Sequence, residues 1–139
     1  MPDTQAVSAS IAPTPATPPA TPSVITGTAL AVDPDAGVRR VIALVLEELG
    51  FVTHSVADAE SALEMLPGLN PDLVLAEVRL PGMSGTQLVE AIRLLPNKNP
   101  HILLMSAYPR PRPAGEDEFM QKPLRFDRLL QVARDALSA

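Results

Sequence analysis

The sequence predicts an α/β fold built on a doubly wound, five-stranded parallel sheet. From Gly27 onward, short apolar runs alternate with segments of helical period. Most of those runs are continuously apolar, as expected of strands covered on both faces. Strands separated by helices imply right-handed crossovers, and these make neighbouring strands parallel.

The elements follow in order. "TALAV" (28–32) reads as a buried strand ending at Asp33. In the next segment Val38, Val41, Ile42, Val45 and Leu49 recur at helical spacing, and Gly50 is a stop signal. "FVTHSV" (51–56) is the second strand. "DAESALEMLPG" is a short helix with Asp58 as N-cap, expected to end at Pro67-Gly68. "DLVLAE" (72–77) is the third strand, and Leu88, Val89, Ile92 and Leu95 mark the third helix. "HILLMS" (101–106) and the short "EFMQ" (118–121) are the fourth and fifth strands. The last helix spans "RFDRLLQVARDAL", with Phe126, Leu129, Leu130, Ala133 and Leu137 on one face.

Residues 1–26 stand apart as a flexible tail rich in Pro, Ala and Thr, holding six of the 16 prolines. Such a composition buries too little apolar surface to offset chain entropy. The remainder, 27–139, is expected to form one domain. Its core must be aliphatic, because the chain is 46% hydrophobic but only 3% aromatic. The net charge of −5 argues against nucleic-acid binding, which depends on basic patches. There is no cysteine, hence no disulfide framework or thiol chemistry. The first basic residue is Arg39, unlike the basic start of a secretory signal, and no apolar run approaches a membrane span. The expectation is a cytoplasmic protein that uses neither nucleic acid nor membrane.

In doubly wound sheets, sites gather at the carboxyl ends of the strands. Asp33, Glu77, Ser106 and Lys122 each stand at or just past such an end. Carboxylates there could hold a hard divalent cation, and a hydroxyl with an ammonium could hold phosphoryl oxygens. Taken alone, Lys122 would read as a surface lysine and Ser106 as a structural hydroxyl. The four together, in this order, point to a pocket.

Four segments carry a resemblance to a known family. "AVDPDAGVRR" resembles the acidic pocket at the first strand of response-regulator receiver domains in two-component systems. "PDLVLAEVRLPGMSG" resembles the segment with their phospho-accepting aspartate, "LLMSA" the segment with their switch hydroxyl, and "FMQKPL" the segment with their Lys-Pro pair. The resemblance covers residues 27–139. It implies a flavodoxin-like fold, a Mg²⁺ site at Asp33 and the acceptor position, and phosphoryl transfer from a histidine kinase. It also implies a switch pair, here Ser106 and Phe119, and a pocket lysine, Lys122.

The chain departs from that pattern at four places. The acceptor position holds Glu77, whose carboxylate reaches one methylene further than aspartate and is poorly placed for in-line attack. Asp33 is followed by Pro34, so the second acid of the pocket, Asp35, comes one place late and is well placed to cap a helix instead. Mg²⁺ demands near-ideal octahedral oxygen geometry, so its binding is expected to be weak or lost. "YPRPRPAGEDE" (108–118) carries three prolines in alternate positions, so the family's fourth helix is expected to be absent and this stretch to be an extended, mobile loop with "GEDE" solvated. The switch aromatic is Phe119, which lacks a tyrosine's hydroxyl.

Arg79 reads as a solvated loop residue, with the alternative that its guanidinium stands in for the metal beside Glu77 and Asp33. His54 and His101 read as structural. The resulting expectation is a stand-alone pseudo-receiver, not an enzyme, acting by contact with signalling proteins such as a histidine kinase or a downstream regulator, with a homodimer left open. No cofactor is expected. The alternatives are a receiver phosphorylated on Asp33 or Asp35 as a phosphate sink, and a small flavodoxin-like module binding an anion or nucleotide at Lys122 and Ser106. The latter lacks a glycine-rich phosphate loop.

Overall fold

The computed structural model describes residues 27–96 and 98–138; the tail expected over 1–26 lies outside them. The elements are β1 (Gly27–Val32), α1 (Ala36–Glu48), β2 (Phe51–Val56), α2 (Ala59–Leu69), β3 (Leu73–Glu77), α3 (Gly85–Leu94), β4 (His101–Ser106), β5 (Glu118–Gln121) and α4 (Phe126–Ser138). The strands form one parallel sheet in the order β2-β1-β3-β4-β5. Among the described residues, no helix is long and apolar enough to cross a membrane.

The period-two geometry of strands divides the core into two layers. Ala29, Ala31, Leu73, Leu75, Leu103 and Met105 face α1 and α4, where they meet Ile42, Leu46, Leu129, Val132 and Ala133. Leu30, Val32, Val74, Ala76, Ile102 and Leu104 face α2 and α3, where they meet Ala62, Leu66, Leu88, Val89 and Ile92. Because both faces are covered there, the central strands β1, β3 and β4 carry the unbroken apolar runs.

The helices show where local pattern and tertiary packing part company. In α4 the buried residues are Leu129, Val132 and Ala133, while Phe126 (57% exposed) and Leu137 (37%) lie outside the core. The expected stripe was therefore rotated: two apolar stripes overlap on this helix, and contact with α1 and β4 selects the one with smaller side chains. α2 runs through Pro67 to Leu69 instead of stopping there, and ends at Asn70 in the left-handed region (φ 52°). Pro67 forfeits a single N–H bond near the end of the helix, too late to prevent its last turn.

As expected, no helix lies between β4 and β5. The segment that replaces it is extended but anchored by side chains; within "GEDE", Gly115 and Asp117 are exposed as expected, whereas Glu116 is not solvated. The Glu116 side chain is fully enclosed and accepts from Arg110 Nε and Nη2 at 3.1 and 2.8 Å, and from the Ala114 amide at 2.8 Å. Burial pushes the Glu116 carboxyl upward, but these donors outweigh it and hold it below the usual glutamate value. Arg93 of α3 reaches across to the Gly115 carbonyl (2.9 Å), the Pro100 carbonyl (2.9 Å) and Asp117 (2.8 Å). Asp117 also accepts from the Ile102 amide at 2.8 Å.

Candidate functional site

Counted as whole residues, Asp33 (1% exposed), Glu77 (6%) and Ser106 (2%) are the buried polar ones among those described. All lie at the carboxyl edge of the central strands. The β3–β4 register pairs Glu77 with Met105, and Asp33 follows the end of β1. After β1 the chain winds to β2 on one side and later to β3 on the other, so the pocket occupies the topological switch point.

Lys122 closes the pocket from beyond β5. Its Nζ donates to Asp33 Oδ2 at 2.8 Å and to Glu77 Oε1 at 2.6 Å. Its backbone amide donates to the Ser106 carbonyl at 2.7 Å, extending the β4–β5 ladder and fixing where the side chain starts. Burial disfavours the ammonium, but the hydrogen bonds and charges of Asp33 and Glu77 prevail and raise its pKa above the ordinary lysine value.

The remaining carboxylate oxygens are also occupied. Asp33 Oδ1 accepts from the Asp35 amide at 2.9 Å, and Glu77 Oε2 from the Arg79 amide at 2.9 Å. Arg39 of α1 donates to the Asp33 carbonyl at 2.6 Å. The chain after Glu77 must fold back tightly onto it. A Cβ on Gly85 would lie 2.1 Å from the Glu77 carbonyl oxygen, so only glycine fits there.

Of the predicted site residues, the fold brings Asp33, Glu77 and Lys122 together. Asp35 is elsewhere engaged: it is the N-cap of α1, and its Oδ1 accepts from the Gly37 and Val38 amides at 2.7 and 3.4 Å. Lys122 donates to Asp33 and Glu77 and not to Asp35. Ser106 lies at the pocket edge, but its hydroxyl accepts from the Tyr108 amide at 3.1 Å. Phe119 packs against the layer under α2 and α3, with the Arg110 guanidinium 6.0 Å from its ring centre.

Arg79 does not stand in for a metal: its guanidinium lies over the Tyr108 ring, 4.0 Å from the centroid. This lid-like pair, and the grip of Arg39 on Asp33, were not anticipated. Arg79 follows β3 and Tyr108 follows β4, and no spacing announces the pair.

A doubly wound sheet with an acidic pocket and a lysine at its switch point defines a receiver-type signalling module. The chain belongs to the response regulator receiver domain family, whose model matches residues 29–134. It is 30% identical over 114 residues to the regulatory protein AtoC of Escherichia coli (strain K12), covering 78% of this chain and 24% of that protein. It is 30% identical over 112 residues to the transcriptional regulatory protein FixJ of Bradyrhizobium diazoefficiens, covering 76% of this chain and 54% of that protein. The chain thus spans about a quarter to a half of these relatives. In structure it is similar to a response regulator from Chloroflexus aurantiacus (TM-score 0.74, 26% identity, 83% of this chain and 100% of that one).

Receiver domains typically use Mg²⁺ at this pocket. The donor set here does not suit that ion. Pro34 offers no side-chain oxygen, Asp35 faces the helix cap, and each oxygen of Asp33 and Glu77 already accepts from an N–H donor. An octahedral cation would have to compete with Lys122 for both acids.

Proposed function

We propose that this receiver is a pseudo-receiver, which signals by protein contact from a fixed state without the usual phosphorylation. The observation that carries the reading is Lys122 bridging Glu77 and Asp33 at 2.6 and 2.8 Å. In a phosphorylated receiver the pocket lysine meets the phosphoryl group. Here the longer glutamate brings its own oxygen to that lysine, imitating part of the charge that modification would add. The imitation supplies one negative charge and two oxygens, against nearly two charges and three oxygens. Glu77 remains poorly placed for in-line attack, and Mg²⁺ binding is weak or absent because Pro34 supplies no ligand and Lys122 competes for both acids.

The partners are signalling proteins: a histidine kinase that recognises the domain, or a downstream regulator. The module is not an enzyme in this reading. A cytoplasmic setting belongs to the same reading.

Incubation with a small phosphodonor and Mg²⁺, followed by intact mass, tests the proposal. No mass increase is expected. Uptake of a phosphoryl group on Glu77, Asp33 or Asp35 at the rate of an ordinary receiver would overturn it, and uptake on either aspartate would favour a phosphate sink instead.

A further inference from the structure

At the opposite end of the sheet from Glu77, three metal-ligating side chains converge. His101 opens β4, Glu118 opens β5, and Asp135 lies late in α4. Their ligand atoms all lie within 4.8 Å of one another, and all three residues are half-buried. His101 Nε2 is 2.6 Å from Glu118 Oε2, and Nδ1 faces Asp117 Oδ2 at 3.7 Å. Gln131 donates to Asp135 Oδ1 at 2.9 Å and so orients that carboxylate.

We propose that His101, Glu118 and Asp135 form a binding site for a late first-row divalent metal ion of the Zn²⁺ class. The donor set selects the ion. An imidazole with two carboxylates suits Zn²⁺ and its neighbours, whereas Mg²⁺ and Ca²⁺ take oxygen ligands. Zinc bonds of about 2.0–2.2 Å place ligand atoms of a tetrahedral site roughly 3–3.5 Å apart. The His101–Glu118 contact is shorter than this and the full spread of the cluster is wider, so shifts on the order of 1 Å complete the site, with water as fourth ligand.

Two surrounding features favour the ion. The second ring nitrogen of His101 lies 3.7 Å from the Asp117 carboxylate, too long for a hydrogen bond but within a small shift of the contact that commonly orients a metal-bound histidine. Asp117 is itself held by Arg93 and the Ile102 amide, so it is a fixed support rather than a free acid. The charge also fits: Asp117, Glu118 and Asp135 bring three negative charges, and Arg93 offsets one. A dication would neutralise the rest. Bound there, it would tie β4, β5 and α4 together on the side of the sheet remote from Glu77.

The test is calorimetric titration of the tag-free full chain with ZnCl₂, repeated with Co²⁺ and read by visible absorption. One ion per chain is expected. Asp135→Asn and Glu118→Gln should each weaken binding by about tenfold or more. Glu77→Gln, at the far edge, should leave it unchanged. The His101 ring resonances should move with Zn²⁺ while those of His54 hold. Absence of saturable binding, or binding indifferent to Asp135→Asn and Glu118→Gln, overturns the proposal and leaves His101–Glu118 as a hydrogen bond tying two strands. Asp135→Asn changes a half-buried residue of α4 and preserves its shape, so the test does not depend on the strand substitution folding.

Discussion

Lys122 Nζ stands 2.6 Å from Glu77 Oε1, and the same ammonium holds Asp33 Oδ2 at 2.8 Å. One cation thus serves two buried carboxylates, and the three elements that carry them are locked at a single point.

Removing the cation should therefore cost far more than removing one anion. Lys122→Met leaves two buried carboxylates facing each other and should lower stability by about 3–5 kcal/mol. Glu77→Gln keeps the shape and leaves Lys122 paired with Asp33, so its cost should be nearer 1 kcal/mol. Urea titration of both variants measures the difference. Equal effects would show that the triad is not a unit.

The raised pKa of Lys122 sets an alkaline limit. A lysine whose pKa is higher in the folded state contributes its stability in full below the unfolded value of about 10.4, and loses it as pH climbs through the folded value. The urea midpoint should fall through that alkaline range in wild type. The fall should be smaller in Lys122→Met.

Gly85→Ala places a methyl group against the Glu77 carbonyl. Backbone must move, and overpacking of this kind should cost about 3 kcal/mol or more. A variant of wild-type stability would contradict the close approach.

In the segment between β4 and β5, amide exchange should be uneven. Asp117 N donates to the Ile102 carbonyl at 2.9 Å and Ala114 N to Glu116, so both should exchange slowly. Arg93→Ala removes the brace from α3 and should speed exchange at Asp117, with a stability loss of about 2 kcal/mol. Uniformly fast exchange in wild type would restore the sequence expectation of a mobile loop.

Reconstruction offers the sharpest check of the fixed-state reading. Pro34→Asp combined with Glu77→Asp supplies a second pocket acid and shortens the acceptor. The double variant should take a phosphoryl group from a small donor in Mg²⁺, whereas Glu77→Asp alone should do so poorly. Equal labelling of both would remove Pro34 from the explanation.

Much of this was legible because strand ends and chemistry coincide. The limits of β2, β4 and β5 follow from abrupt changes in hydrophobic period, and Asp33, Glu77 and Lys122 stand at the ends of β1, β3 and β5. Asp35 carried a local signal too, as a cap residue ahead of a helix. What stayed hidden was long-range. The stripe that α4 buries depends on the shape of α1 and β4, not on its own periodicity. Arg93 meeting Asp117, and Arg79 meeting Tyr108, join residues far apart in sequence, and an arginine gives no sign of which partner its guanidinium will find. The prolines of 109–113 correctly excluded a helix, but the restraint on the segment comes from side chains that reach it after folding.

A covalent mark decays at its own rate, and that rate ordinarily times the response. A lysine gripped by two carboxylates of its own chain is assembled when the domain folds and persists until it unfolds. On the proposed reading, any message this domain carries would have no hydrolytic clock. Its duration would follow synthesis, degradation and partner concentration, so the cell would read it as an amount rather than as an event.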